Sequence, residues 1–402
     1  MMRASNDRHT RLEVLRGVSW LFPWSAGLAG ALTLSCGSSS AGSPAASTEG
    51  GGLTYDTNAP SSACGSSSAA PGTKTVQVMS GGLSRSYILH IPPGYDGKPA
   101  PLVINMHGFL SSASQQEAWS AMATVADSEN FVVVYPNGAG MPSSWNAGSC
   151  CEYNDPSRDD VAFITTVIDD VAQSTCIALD RVYATGMSNG GFMSQNLGCN
   201  LSDRIAAIGP VSGVLGVAPE DCMPGRAIPV MEFHGTADPL VPYDGGAASA
   251  ELWSFVYPNT PPPEFASVAD TISFWRTQDG CGATPQQTYS NGNATCETYS
   301  GCQGGAVVTL CTIAGGGHTW PGGSTTALPA VATAITGPMT QSINASSQLW
   351  EFFKGYKLPS GFDGGVTATP PYLDYPWPPE GDASDAGGAT SDAGGGGGDG
   401  GV

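Results

Sequence analysis

Basic residues are scarce in this chain: 14 Lys and Arg stand against 34 Asp and Glu in 402 residues, for a net charge of −20. A nucleic-acid partner needs a basic face to neutralise phosphate, so that class is excluded, and anionic membrane surfaces are disfavoured. Charge of either sign is thin, at 12% of residues, which leaves neutral ligands open. The apolar stretch from Val18 to Leu34 is broken by Pro23 and small residues, and it is too short and interrupted to read as a membrane span. No Cys-x-x-Cys pair and no Cys/His cluster with zinc spacing occurs, so no metal site and no cofactor are expected. No internal repeat is present.

Cysteine is plentiful, with 11 residues. Unrelated buried thiols explain that number poorly, and disulfides formed in an oxidising compartment explain it well. The N-terminus agrees, because Arg3, Arg8, Arg11 and Arg16 precede the apolar stretch and small residues lead to Ser35-Cys36. This is the layout of an export signal over residues 1–36. Cys36 reads either as a lipid-modified residue that tethers the chain to a membrane or as part of a plain secretion signal. The usual Leu three residues before such a Cys is replaced by Thr33, and Leu32 sits one place further back. Residues 37–71 are rich in Ser, Gly and Ala and read as a flexible tether. Residues 360–402 end in Asp/Ala/Gly repeats that cannot bury enough apolar surface to order, and they read as a disordered tail. One folded domain over 72–359 remains, expected to act as a monomer.

Within it, strand-like and helix-like stretches alternate. Thr75–Met79 and Ser86–Ile91 alternate apolar and polar residues like a half-buried antiparallel pair, whereas Pro101–Met106 and Phe131–Tyr135 are the continuous apolar runs of central parallel strands. Ser114–Ser128 has helical spacing, as does Asp159–Ala172. Strands are expected at Arg181–Thr185, Ile205–Val211, Ile228–His234 and Ala306–Ile313, with a hairpin from Gln286. Helices are expected at Asn189–Leu197, Ala266–Trp275 and Ser342–Phe353. This order predicts an α/β fold whose mostly parallel central sheet is flanked by helices and braced by disulfides. Gly245 to Glu264, with its three consecutive prolines, reads as an inserted surface loop, either a lid or a long connection.

The sharpest motif is Gly186-Met187-Ser188-Asn189-Gly190-Gly191, placed between an expected strand and an expected helix. A serine on such a turn has strained backbone angles, and glycines around it remove the clashes that would bury its hydroxyl. An ordinary capping serine in a glycine-rich turn is the bland alternative. A nucleophilic serine needs a base. Of the five histidines, His9 lies in the export signal, His90 lies in an early strand, and His107 and His234 each end an apolar strand. His318, flanked by glycines after Ala306–Ile313, is left as the candidate general base. The orienting acid lies between them if the chain follows the Ser, Asp, His order of α/β-hydrolases. Asp238, just beyond the strand Ile228–His234, fits best, and Asp221, Asp244 and Asp270 are less well placed. The oxyanion donors are assigned to the backbone N–H groups of Asn189 and of Phe109, with Gly108 or Leu110 as alternatives to Phe109.

Several segments resemble one family. They are Arg85-Ser86-Tyr87-Ile88-Leu89, Pro92-Pro93-Gly94-Tyr95-Asp96, His107-Gly108, the serine motif, His234-Gly235-Thr236-Ala237-Asp238 and Gly317-His318-Thr319-Trp320-Pro321-Gly322. Together they look like the secreted α/β-hydrolase esterases grouped with polyhydroxybutyrate depolymerases and feruloyl esterases. The resemblance implies an extracellular serine carboxylic ester hydrolase that works without metal or cofactor on an ester-bearing polymer or oligomer. Feruloyl or acetyl-xylan ester cleavage is the leading reading and polyester depolymerisation its rival. A non-catalytic polysaccharide-binding lipoprotein on the same scaffold is the alternative from another class. Trp320 could stack on an aromatic acyl group or a sugar, or could equally be a packed loop aromatic. For the disulfides, Cys199 is expected to pair with Cys222, and Cys281, Cys296, Cys302 and Cys311 among themselves. Cys64 is expected to pair with Cys150 or Cys151, the two adjacent cysteines reaching separate partners.

Overall fold

The computed structural model describes residues 60–65, 69–151, 158–250, 253–254, 259–324 and 335–360. The export signal, most of the tether and almost all of the tail therefore lie outside the described residues, as does part of the Gly245 to Glu264 segment. In chain order the strands of the main sheet are β1 (Gly72–Ser80), β2 (Leu83–Ile91), β3 (Ala100–Met106), β4 (Val132–Pro136), β5 (Ile177–Met187), β6 (Ala207–Val211) and β7 (Val230–Gly235). A short pair, β8 (Gly246–Ala247) and β9 (Glu264–Phe265), closes the neck of the proline-rich segment before β10 (Gln286–Asn291), β11 (Ala294–Tyr299) and β12 (Val308–Ile313).

The ten main strands lie in the order β1-β2-β4-β3-β5-β6-β7-β12-β11-β10. The six from β4 to β12 run parallel, and antiparallel strands flank them on both sides. The continuous apolar runs follow from this arrangement: all seven residues of β3 and all five of β4 are buried. Alternate side chains enter opposite cores, with Leu102, Ile104, Val132 and Val134 on one face and Val103, Val133 and Tyr135 on the other.

The helices supply the covering layers. The helix expected at Ser114–Ser128 is instead two, α1 (Ala113–Ser120) and α2 (Met122–Glu129), separated by Ala121 in a left-handed conformation. The break lets Ser120 serve a buried polar knot. Its hydroxyl accepts from Asn105 Nδ2 at 3.1 Å and donates to the Gln116 carbonyl at 2.7 Å, and its own carbonyl accepts from Ser346 Oγ at 2.6 Å. On α3 (Asp160–Ser174), Phe163, Ile164, Val167, Ile168 and Val171 are all fully buried. Each contributes about 1.5–3 kcal/mol of hydrophobic stabilisation relative to exposure. α4 (Asn189–Asn200) packs on β5 and β6, α5 (Val268–Gln278) on β12, and α6 (Ala345–Phe353) on the opposite side against β6, β7 and α2.

Five disulfides are formed. Cys199 pairs with Cys222, and the hairpin cysteines pair as Cys281–Cys302 and Cys296–Cys311. The expectation for the other three cysteines is corrected. Cys64 bonds Cys176, and the adjacent cysteines bond each other as Cys150–Cys151. The segment before β1 runs back along the start of β5, where Pro60 bridges Ala178 and Ser61 N–H donates to the Ile177 carbonyl. That pairing carries Cys64 to Cys176 across 112 residues of sequence, a distance no local pattern reports. Replacing Cys64 and Cys176 with Ser is expected to lower the unfolding free energy by ~4–5 kcal/mol, against ~3 kcal/mol for the shorter Cys281–Cys302 ring. Denaturant titration of the two double variants under non-reducing conditions checks the order.

Candidate active site

β5 ends at Met187, and α4 begins at Asn189, so Ser188 alone makes the turn. Its backbone sits at φ 57 and ψ −125, a positive-φ conformation that costs an L-residue energy and persists only where its surroundings hold it. Here they do: Ser188 N–H donates to the Val211 carbonyl at 2.8 Å, and its carbonyl accepts from Phe192 N–H at 2.9 Å. The turn packs so closely on β3 that a Cβ at Gly190 would collide with the carbonyl oxygens of Met106 and His107.

Asp238 and His318 are carried by neighbouring strands. Asp238 lies in the turn after β7, and His318 lies in the loop after β12, the strand hydrogen-bonded beside it. His318 Nδ1 donates to Asp238 Oδ2 at 2.8 Å. Asp238 Oδ1 accepts the N–H groups of Leu240 and Val241, both at 2.9 Å. Burial alone would push the Asp238 carboxyl up. The charge and hydrogen bond of His318, the nearby His234 and the Val241 amide outweigh it and hold the carboxyl below its ordinary range. The two loops approach through glycine, since a Cβ at Gly235 would run into the Gly316 carbonyl. With Nδ1–H directed at Asp238, Nε2 is the ring nitrogen that carries the lone pair in the neutral imidazole.

Ser188 and His318 both line a cavity of about 200 Å³, together with Gly108, Phe109, Leu110, Met187, Leu240, Val241, Trp253 and Phe265. Apart from His318, its described lining has no ionisable side chain outside the Cys150–Cys151 disulfide. Gly108 faces Ser188 closely, and a Cβ there would lie 3.2 Å from Ser188 Cβ. Of the oxyanion candidates, Leu110 N–H is already taken by the Ser143 carbonyl at 3.0 Å. Phe109 and Gly108 line the cavity, and Asn189 opens the helix beside it. Trp320 sits elsewhere: it is 2% exposed, its indole N–H donates to Ser346 Oγ at 3.0 Å, and it lines a separate cavity of about 30 Å³ next to His318.

Several neighbours of the site escaped the sequence reading. The side chain of Asn189, assigned only a backbone role, accepts from Trp145 N–H at 2.7 Å and donates to the Trp145 and Cys150 carbonyls, both at 3.0 Å. It therefore clamps the loop bearing Cys150–Cys151, both of which line the cavity, to the start of α4. His107, set aside as a strand-end histidine, is buried beneath the Gly108 turn. Its Nδ1 donates to the Gly108 carbonyl at 2.7 Å, and Nε2 accepts from Gly138 N–H at 2.8 Å. Burial lowers its pKa to about 4, so the ring is neutral with its tautomer fixed. Trp253 and Ala248 carry the proline-rich segment into the cavity wall, and Trp253 stacks on Phe109 with ring centroids 6.2 Å apart. A residue's distance along the chain gave no signal for any of these contacts. Replacing Gly190 with Ala is expected to force the turn away from β3, lowering thermal stability by several degrees and ester turnover by ~100-fold or more. A melting curve and a p-nitrophenyl acetate assay on the same sample check both.

Residues 85–261 match the family described as esterase PHB depolymerase. Feruloyl esterase B of Piromyces equi is 37% identical over 240 residues, 58% of this chain, and the match spans 42% of that relative's length. The putative esterase NocK of Nocardia uniformis subsp. tsuyamanensis is 32% identical over 271 residues, covering 65% of this chain and 78% of the relative. A bifunctional acetylxylan esterase/xylanase of Neocallimastix patriciarum is 27% identical over 221 residues, 54% of this chain and 29% of its own length. With identity above the level of fold likeness across most of a whole relative, the chain belongs to the family of carboxylic ester hydrolases that includes polyhydroxybutyrate depolymerases and feruloyl esterases.

Proposed function

We propose that this protein hydrolyses carboxylic esters by way of an acyl-enzyme, with Ser188 as nucleophile, His318 as general base and Asp238 as its orienting acid. The observation that carries the reading is the 2.8 Å bond from His318 Nδ1 to Asp238 in a cavity shared with a serine held at positive φ. With Nδ1–H committed to the carboxylate, Nε2 takes the proton of Ser188 as Oγ bonds the acyl carbon. The negative charge that develops on the carbonyl oxygen is met by the N–H groups of Asn189 and Phe109. Collapse expels the alcohol, which takes the proton back from Nε2, and water repeats the sequence to release the acid. Losing one oxyanion donor costs ~3 kcal/mol of transition-state stabilisation.

The substrate class follows from the lining. Phe109, Trp253, Phe265 and Leu240 make an apolar, largely aromatic wall without acidic side chains among the described residues, suited to a neutral acyl group. A space of about 200 Å³ exceeds what acetyl needs and accommodates a ring-bearing acyl group, so feruloyl esters of cell-wall polysaccharide are the proposed substrate and acetyl-xylan the smaller alternative. The arginines ahead of the apolar N-terminal stretch and the five disulfides support export to an oxidising compartment, with Cys36 as a lipid tether or a plain secretion signal. Polyester depolymerisation is the second reading. It is favoured by Leu110 at the cavity rim, 49% exposed, and Met141 in the neighbouring loop, 93% exposed. Ser188→Ala is expected to cut p-nitrophenyl acetate turnover by ~1000-fold or more while leaving the fold intact. A serine-directed phosphonate is expected to label Ser188, and methyl ferulate to outpace a hydroxybutyrate trimer. Unchanged turnover in Ser188→Ala removes Ser188 as the nucleophile, parent turnover no faster than the uncatalysed background leaves a non-catalytic binding protein as the reading, and a faster trimer selects the polyester reading.

A further inference from the structure

Behind Asp238, on the side away from His318, lies a second histidine that the mechanism above does not use. His234 is the fifth residue of β7, and its side chain is fully buried. Both of its ring nitrogens face acceptors. Nδ1 lies 3.2 Å from Glu232 Oε1, and Nε2 lies 3.0 Å from the Val241 carbonyl oxygen. A carbonyl has no proton to give, so Nε2 carries one. A neutral imidazole would then present a lone pair from Nδ1, and opposite a carboxylate that arrangement is repulsive. Burial raises the Glu232 carboxyl, and its hydrogen bonds with His234 and Gln195 act in the opposite direction. Gln195 Nε2 donates to Glu232 Oε2 at 3.3 Å, and the orientation of that amide is fixed because Gln195 Oε1 accepts the Trp275 indole N–H at 2.5 Å.

The same Nε2 lies 3.6 Å from Asp238 Oδ2, the oxygen that accepts His318 Nδ1–H. One carboxylate oxygen thus sits between two imidazoles. We propose that His234 is a buried imidazolium, balanced by Glu232, that acts as a positioning residue for Asp238 by keeping it ionised and aimed at His318. The proposal rests on the serine-triad reading above. Burial works against charge on His234, and the Glu232 hydrogen bond, the Asp238 and Glu232 carboxylates and the Val241 carbonyl outweigh it and hold its pKa above the ordinary value. The groups around the ring are consistent with a cation. Tyr243 meets it edge-on at 5.8 Å with its hydroxyl 3.0 Å from Thr312 Oγ1, the residue in register with His234 on β12, and the α4 neighbour of the pair is the neutral Gln195. Among the described residues, Glu232, Asp238 and Tyr243 are the titratable groups in contact with the ring, and none of the three is a cation.

The functional consequence has a definite sign. Without the cation, Asp238 is a stronger proton acceptor and grips the proton on His318 more tightly, so the base is freed only at higher pH. His234→Gln is expected to lower kcat ~10-fold with KM changed less than about two-fold, and to move the acid limb of kcat/KM up by about one pH unit. A merely structural residue would not move that limb. Charge is read independently of catalysis on the unaltered full chain carrying ¹⁵N-labelled histidine, since five histidines give few signals. The signal missing from His234→Gln is expected to show both nitrogens protonated near neutral pH. A singly protonated His234, with the proton on Glu232 instead, overturns the proposal, as does a His234→Gln variant whose rate and acid limb match the parent. Asp238→Asn run in parallel separates the two failures. An inactive Asp238→Asn beside a wild-type His234→Gln removes only the positioning role, whereas an active Asp238→Asn removes the triad and the proposal with it.

Discussion

A single hydrogen bond, from His318 Nδ1 to Asp238 Oδ2, ties together two loops that leave adjacent parallel strands, and much of the surrounding structure exists to hold its ends in place. β7 and β12 pair in register to Gly235 and Ile313, and the ladder continues past the strand ends as Thr236 N–H donates to the Ile313 carbonyl and Ala237 N–H to the Gly316 carbonyl. Cys296–Cys311 fastens β12 to its outer neighbour β11. On the far side of His318, its own N–H donates to the Thr336 carbonyl at 2.6 Å. A buried carboxylate without partners would cost several kcal/mol. Two amides and two imidazoles around Asp238 remove that cost and leave the ionised form favoured.

The serine side is built on different principles. There the constraint is steric: a strained residue between β5 and α4 is kept in place by glycines, by its bond to β6 and by the side chain of Asn189. That asparagine links the turn bearing Ser188 to the loop of Trp145 and Cys150, which is also anchored by Asn146 N–H donating to Asp160 at 2.7 Å. Asp160 in turn pairs with Arg85 and Arg158 in a buried cluster. The wall of the cavity is therefore continuous with the core, and its shape is set by contacts from several separate regions of the chain.

Most of the sheet was legible because its strands announce themselves chemically. Val132 to Tyr135 and Leu102 to Ile104 are apolar without interruption, and only a strand covered on both faces accommodates that pattern. The break at Ala121 was not legible, since the spacing of Ala118, Met122 and Val125 is that of one helix, and the interruption answers to Asn105 and Ser346, which no local window contains. At the site, the candidate residues were reached by strand ends and glycines. The same reasoning discarded His107 and His234 because each ends a strand, and yet strand ends at this edge are where the Gly108 turn and Asp238 are supported.

Composition and pattern alone determined the class of fold, the presence of disulfides and the short stretches that bear the candidate side chains. These depend on local chemistry: alternation, apolar runs, glycine at tight turns and the number of thiols. Partnership was decided only in three dimensions. Cys64 joins Cys176 rather than Cys150, Trp320 turns into the core while Trp253 enters the cavity, and His234 stands behind Asp238. Which groups meet depends on strand order and on loops folding back over the sheet edge, and contacts separated by tens of residues leave no trace in the spacing of the residues that make them.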